Sequence, residues 1–126
     1  MAIQNIFVVG AGLMGSGIAQ NAITSGYTVT LNDQRQEALD RARAGIEKSL
    51  NRDVEKGRMA AEARDAALAR LSTDATMEGA RNADLVIEAI FENLEAKQAV
   101  FSALEDLCPE HTIFASNTSS ISLTAL

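Results

Sequence analysis

The stretch VVGAGLMGSGIAQ, residues 8–20, sets Gly10, Gly12 and Gly15 in the spacing G-x-G-x-x-G. Ahead of it, IQNIFVVG (3–10) is rich in β-branched and aromatic residues and ends on glycine, the pattern of a buried strand. Behind it, LMGSGIAQNAITS (13–25) places Leu13, Ile18, Ala19, Ala22 and Ile23 at helical spacing, with Gly26 as its stop. A strand that turns through glycines into a helix gives each glycine its own purpose. Gly10 permits the turn, Gly12 lets a pyrophosphate reach the backbone, and Gly15 lets helix and strand pack closely. The helix start adds free N–H groups and the positive end of its dipole. The competing reading is that the three glycines serve backbone geometry alone.

The rest of the chain repeats the alternation. YTVTLND (27–33) reads as a second strand. Leu39, Ala42, Ile46, Leu50 and Val54 then recur at three and four residues, Gly57 breaks the run, and Ala60, Ala63, Ala67 and Leu71 resume it. This predicts two helices packed as a hairpin, longer than the dozen or so residues that a simple crossover needs. LSTDA (71–75) is a short strand candidate and ADLVIEAI (83–90) a clear strand. NLEAKQAVFSALEDL (93–107) is a helix with Leu94, Val100, Phe101, Leu104 and Leu107 as apolar positions, ended by Pro109. TIFASN (112–117) is the fifth strand. Strands alternating with helices predict an α/β fold, a Rossmann-type doubly wound parallel sheet with a helical hairpin inserted between strands 2 and 3.

Composition narrows the function classes. At 126 residues the chain suits one domain, and 47% hydrophobic with 22% charged residues is a globular balance. A net charge of −6 argues against a general nucleic-acid surface. No apolar run approaches the roughly 20 residues of a membrane span, and no basic n-region precedes the first apolar stretch. A single cysteine, Cys108, makes no internal disulfide, which suits a reducing, cytoplasmic setting. One histidine and one cysteine argue against a zinc site, and no metal is expected.

Asp33 ends the second strand, where a carboxylate accepts hydrogen bonds from an adenosine ribose and repels the extra phosphate of NADP, so NAD is favoured. Arg35 nearby offers a partial offset. The alternative for Asp33 is a helix N-cap. Glu92 and Lys97, in IEAIFENLEAK (87–97), fall just past the carboxyl end of the fourth strand, where ligands collect in open α/β sheets. From spacing alone they read as a solvated helix start. FASNTSSIS (114–122) gathers Ser116, Asn117, Thr118, Ser119 and Ser120 after the fifth strand, suited to a substrate oxygen or to turn and cap chemistry. Lys48, Arg52 and Lys56 form a basic stripe that a phosphate-rich ligand such as coenzyme A would suit. By itself it reads as a solvated face paired with Glu47 and Glu55. His111, beside Pro109 and Glu110, reads as a surface turn residue and not a catalyst.

Taken together, VVGAGLMGSGIAQ, VIEAIFENLEAK and HTIFASNTSSIS resemble the NAD-binding domain of the L-3-hydroxyacyl-CoA dehydrogenases, including the 3-hydroxybutyryl-CoA dehydrogenases, over essentially the whole chain. The resemblance implies that Gly10, Gly12, Leu13, Met14, Gly15 and Asp33 bind NAD and that Glu92 and Lys97 touch it. It implies that Ser119 lies between cofactor and substrate, and that Ser49 and Lys56 contact coenzyme A. The last assignment displaces the solvated-face reading for Lys56.

The implied reaction is reversible oxidation of a 3-hydroxyacyl-CoA to a 3-oxoacyl-CoA by hydride transfer to NAD, a step of fatty acid metabolism. In that family the catalytic histidine follows the next strand, in an H-F-F-N-P segment, with an orienting glutamate beyond it. The chain ends at Leu126, before either. Residues 1–126 are therefore expected to be one NAD-binding Rossmann domain, cut before the last strand and the C-terminal helical domain, and inactive alone. The whole protein is expected to be a homodimer or higher oligomer acting on an acyl-CoA. In the strand order 3-2-1-4-5-6, TIFASN becomes an apolar edge that another chain would cover. Two rival readings remain: a non-catalytic dinucleotide-binding sensor, and a related hydroxy-acid dehydrogenase that does not use CoA.

Overall fold

The computed structural model describes residues 3–89 and 94–116. Its elements run β1 (Asn5–Val9), α1 (Leu13–Thr24), β2 (Thr28–Asn32), α2 (Gln36–Glu55), α3 (Ala61–Ala69), β3 (Leu71–Asp74), β4 (Leu85–Glu88), α4 (Leu94–Leu107) and β5 (Ile113–Ser116). A short 3-10 helix, Glu78–Asn82, precedes β4 and was not anticipated from the sequence. The described strands form one parallel sheet in the order β3-β2-β1-β4-β5. This is the Rossmann-type arrangement expected, with α2 and α3 standing between β2 and β3 and touching each other.

The run IFVV in β1 is apolar throughout because the central strand is covered on both faces. Ile6 and Val8 face α1 and α2, in a cluster with Ala19, Ile23, Leu39 and Leu50. Phe7 and Val9 face the other way, toward Ala80, Val86 and Leu104. On α2, Leu39, Ala42, Ile46 and Leu50 are all buried, as their spacing predicts. Each buried leucine or isoleucine of this stripe contributes roughly 1.5–3 kcal/mol, and Ala42 less, so the stripe does much to hold the helix on the sheet.

Two expectations fail. Leu13 has helical spacing with the α1 core residues, yet it is 97% exposed. It stands in the first turn, beyond the end of β1, where there is no sheet beneath it. The second helical stripe also ends early. Leu71 opens β3, Ala60 is the N-cap of α3, and Ala67 is its buried residue. LSTDA, read as a short strand candidate, forms β3, so Leu71 belongs to that strand and not to the helical stripe.

His111 lies at the amino end of the sheet, opposite the glycine turn. Its Nε2 is 2.8 Å from Oδ1 of Asp84, whose Oδ2 accepts the backbone N–H groups of Gln4 (3.0 Å) and Asn5 (2.9 Å). Asp84 thus ties β1 to β4 and β5 at their starts. The hydrogen bonds from Asn5 and Gln4, then the one with His111, hold its carboxyl down at about 2, below the ordinary 3.8. A depressed folded-state pKa contributes stability that is complete above 3.8 and is lost as pH falls toward about 2. Acid unfolding followed by circular dichroism should therefore be less steep in that window for Asp84→Ala than for the unaltered chain. Parallel curves would remove Asp84 from the account.

Candidate functional site

The strand order reverses between β1 and β4, so a crevice opens at the carboxyl ends of these two strands. The glycine loop occupies that point. Gly10 has φ 105°, a conformation that side chains resist, and its N–H donates to the carbonyl of Asn32 at 2.7 Å. A Cβ on Gly15 would sit 1.7 Å from the carbonyl oxygen of Gly10, so α1 reaches the strand only because Gly15 has no side chain. Gly12 differs from both. Its φ is −74°, and among the described residues, its chain neighbours aside, a Cβ there would meet no atom within 4 Å. Among the described residues, neither backbone strain nor packing requires glycine at position 12.

Gly12 is the N-cap of α1, with no side-chain cap and no acidic residue in the first turn. The start of α1 also carries the positive end of the helix dipole, which favours an anion such as a phosphate. The space over Gly12, open among the described residues, and the positive end of α1 fit a dinucleotide pyrophosphate. Leu13 and Met14 are exposed beside them.

Asp33 follows β2, and its side chain is only 16% exposed. Its Oδ2 accepts the N–H of Ala11 at 3.1 Å, and its Oδ1 accepts the N–H of Arg35 at 3.0 Å. The N-cap of α2 is Arg35, without a side-chain bond, so Asp33 is not the helix cap considered above. It braces the glycine loop instead. A carboxylate has about four acceptor positions, which leaves two for an outside donor.

Several residues at this end of the sheet escaped the sequence reading. Asn32 is buried, and its Nδ2 donates to the carbonyls of Asp74 (2.9 Å) and Thr76. Asp74 accepts from the Thr76 N–H (2.8 Å), the Thr76 hydroxyl (2.7 Å) and the Gly79 N–H (2.8 Å). Burial pushes the Asp74 carboxyl up, and the Thr76 and Gly79 bonds more than offset it, leaving its pKa lowered. A Cβ on Gly79 would lie 2.9 Å from Asp74 Oδ2, so this turn is closely packed too. Glu88, the last residue of β4, is fully buried at the same end. The signal for these residues was their place at strand ends, which spacing does not reveal.

Ser49 and Lys56 lie away from the glycine loop. Ser49 is on α2, and its hydroxyl accepts Nε2 of Gln20, on α1, at 2.9 Å. Lys56 is exposed and caps α2, one residue past the helix that Lys48 and Arg52 occupy. Glu47 pairs with Arg43 at 3.5 Å, along the helix. Lys97 lies on α4, while Glu92 and Ser119 fall outside the described residues.

The family profile of the 3-hydroxyacyl-CoA dehydrogenase NAD binding domain matches residues 5–126. The chain belongs to this family, and its Rossmann sheet is an NAD-binding domain. Among its relatives, a probable 3-hydroxybutyryl-CoA dehydrogenase of Bacillus subtilis is 45% identical over 126 residues, all of this chain and 44% of the relative. The human mitochondrial hydroxyacyl-coenzyme A dehydrogenase is 45% identical over 98% of this chain and 41% of its own length. The crystal structure of 3-hydroxybutyryl-CoA dehydrogenase from Escherichia coli superposes with a TM-score of 0.93 at 44% identity, covering 99% of this chain and 26% of that one. The chain therefore spans less than half the length of these relatives.

Proposed function

We propose that the chain is the cofactor half of an NAD-dependent enzyme that interconverts 3-hydroxyacyl-CoA and 3-oxoacyl-CoA. The observation that carries this reading is Gly12, at the start of α1, where neither its φ of −74° nor any contact among the described residues calls for a glycine. Gly10, Gly12, Leu13, Met14 and Gly15 would hold the pyrophosphate side of NAD, and Asp33 would accept the hydroxyls of its adenosine ribose. Glu92 and Lys97 would complete the cofactor contacts. Bound NAD supplies the hydride acceptor. Ser119 would touch both cofactor and substrate, holding the reacting oxygen, a contribution of position more than of proton transfer. The general base and its orienting acid belong to the rest of the whole protein, so residues 1–126, read as one domain, are expected to bind NAD without turnover. A cytoplasmic location, a homo-oligomeric whole protein and a partner chain along the β5 edge complete the reading.

Ser49 and Lys56 are the proposed coenzyme A contacts. Lys56 is an exposed cation at the end of α2, free to meet a phosphate. In the whole enzyme, Lys56→Glu should raise the KM for acetoacetyl-CoA about tenfold and weaken its salt dependence, with the KM for NADH little changed. Steady-state kinetics with both substrates varied would check this. A shift confined to NADH would put Lys56 on the cofactor and take coenzyme A out of the account.

A further inference from the structure

A cavity of about 500 Å³ opens between α1 and α2, and Gly12, Gly17, Gln20, Arg41 and Gly45 are among the residues lining it. Gln20, on α1, also reaches across to Ser49 on α2. Its Nε2 donates to the Ser49 hydroxyl oxygen at 2.9 Å, and both side chains are half-buried. A serine inside a helix can satisfy its hydroxyl on the carbonyl four residues before it. Ser49 makes no such bond. Among the described residues its hydroxyl has one hydrogen bond, the one in which it accepts from Gln20.

A hydroxyl is one donor and two acceptor sites. The Gln20 amide fills an acceptor site, and its N–H cannot take the hydroxyl hydrogen. Ser49 is thereby left as a donor, confined to the directions the amide leaves open. Lys56 lies seven residues further on, exposed at the end of α2. At about 1.5 Å per residue that is close to two helical turns, so donor and cation stand near one face of the helix. A ligand rich in acceptors and carrying phosphate suits such a pair. We propose that Gln20 is a positioning residue for coenzyme A, holding Ser49 as a hydrogen-bond donor to an acceptor atom of the carrier. This rests on the reading of Ser49 as a coenzyme A contact, through which Gln20 acts. A plain brace between the helices would need the same bond but not its direction.

The test is steady-state kinetics of the whole enzyme with Ser49→Ala, Gln20→Met, Gln20→Glu, and Gln20→Glu combined with Ser49→Ala, each with its melting curve. A carboxylate at position 20 accepts the Ser49 hydrogen, so Gln20→Glu keeps a bond between the helices and reverses its direction. Ser49→Ala and Gln20→Glu should each raise the KM for acetoacetyl-CoA about fivefold, as for one lost hydrogen bond, and spare the KM for NADH. Gln20→Met, which frees the hydroxyl without turning it away, should raise it less. In the Ser49→Ala background, Gln20→Glu should add little, since the hydroxyl it acts through is gone. With the N-acetylcysteamine thioester of acetoacetate, which lacks the nucleotide, the variants should match the unaltered enzyme. An equal rise from Gln20→Glu with and without the Ser49 hydroxyl would overturn the proposal. So would a rise confined to NADH, a rise of the same size with the truncated thioester, or no rise at all. If Ser49→Ala still raises the KM for acetoacetyl-CoA, the coenzyme A reading survives such a result and Gln20 is a helix brace. If Ser49→Ala leaves that KM unchanged, the reading and this proposal fall together.

Discussion

Gly15→Ala should unfold the glycine turn and lower the stability of the whole chain by about 3 kcal/mol or more, near the upper end for overpacking substitutions. The new methyl would lie 1.7 Å from the Gly10 carbonyl oxygen and 2.8 Å from its carbon. Both are backbone atoms, and Gly10 is itself held by its N–H bond to Asn32 at 2.7 Å. No rotamer change relieves such a clash, so α1 must lift from β1. Domains of this size hold only about 5–15 kcal/mol in all, and the melting temperature should fall by roughly 10 °C or more. Gly17→Ala is the control, one residue pair along the same helix with no neighbour within 4 Å. It should be neutral or stabilising by up to about 1 kcal/mol. Thermal unfolding of both variants decides the matter, and equal melting temperatures would contradict the close approach of α1.

Asp33→Ser should weaken NAD binding by about 1–3 kcal/mol, roughly fivefold to 150-fold, and narrow the preference over NADP. Serine offers a single oxygen. It cannot serve the Ala11 and Arg35 N–H groups, at 3.1 and 3.0 Å, and a ribose as well. Calorimetric titration of both cofactors reads the effect. Because Asp33 also braces the loop, the melting curve of the same variant separates the two contributions. A lower melting temperature with unchanged NAD affinity would leave Asp33 as a brace alone.

Much of this fold is legible in the sequence because its elements carry strong periodic signals. The buried stripe of α2 and the unbroken apolar run of β1 each follow from one side-chain pattern against a two-sided sheet. Spacing failed where the environment, and not the period, sets burial. Leu13 keeps the helical interval of a core residue yet stands past the end of the sheet. Leu71 continues an alanine-rich stripe by count but opens a strand. The site divides in the same way. Gly10, Gly15 and Asp33 announce themselves by motif; the geometry of Gly10 and Gly15 matches the turn and the close packing read from it, and Asp33 also braces the glycine loop, which the motif does not tell. Asn32, Asp74 and Gly79 do not, since their contacts join the ends of neighbouring strands and depend on side chains meeting across the fold. The same is true of Arg41 and Gln20, whose cavity exists only once α1 packs beside α2.

The three glycines of the motif stand for three different constraints, and Gly12 alone separates a ligand cradle from a turn. With φ at −74° and no atom of the described residues, chain neighbours aside, within 4 Å of its would-be Cβ, Gly12→Ala should fold as the unaltered chain does. The methyl would occupy the space where a pyrophosphate meets the helix start. Calorimetric titration of NAD into the two proteins, with melting curves beside it, reads whether Gly12 faces a ligand. The account predicts matched melting temperatures and an NAD affinity at least about tenfold weaker in Gly12→Ala, the loss of one or more charge-assisted bonds. Equal NAD affinity in the two proteins would contradict it and return the motif to a turn before a helix.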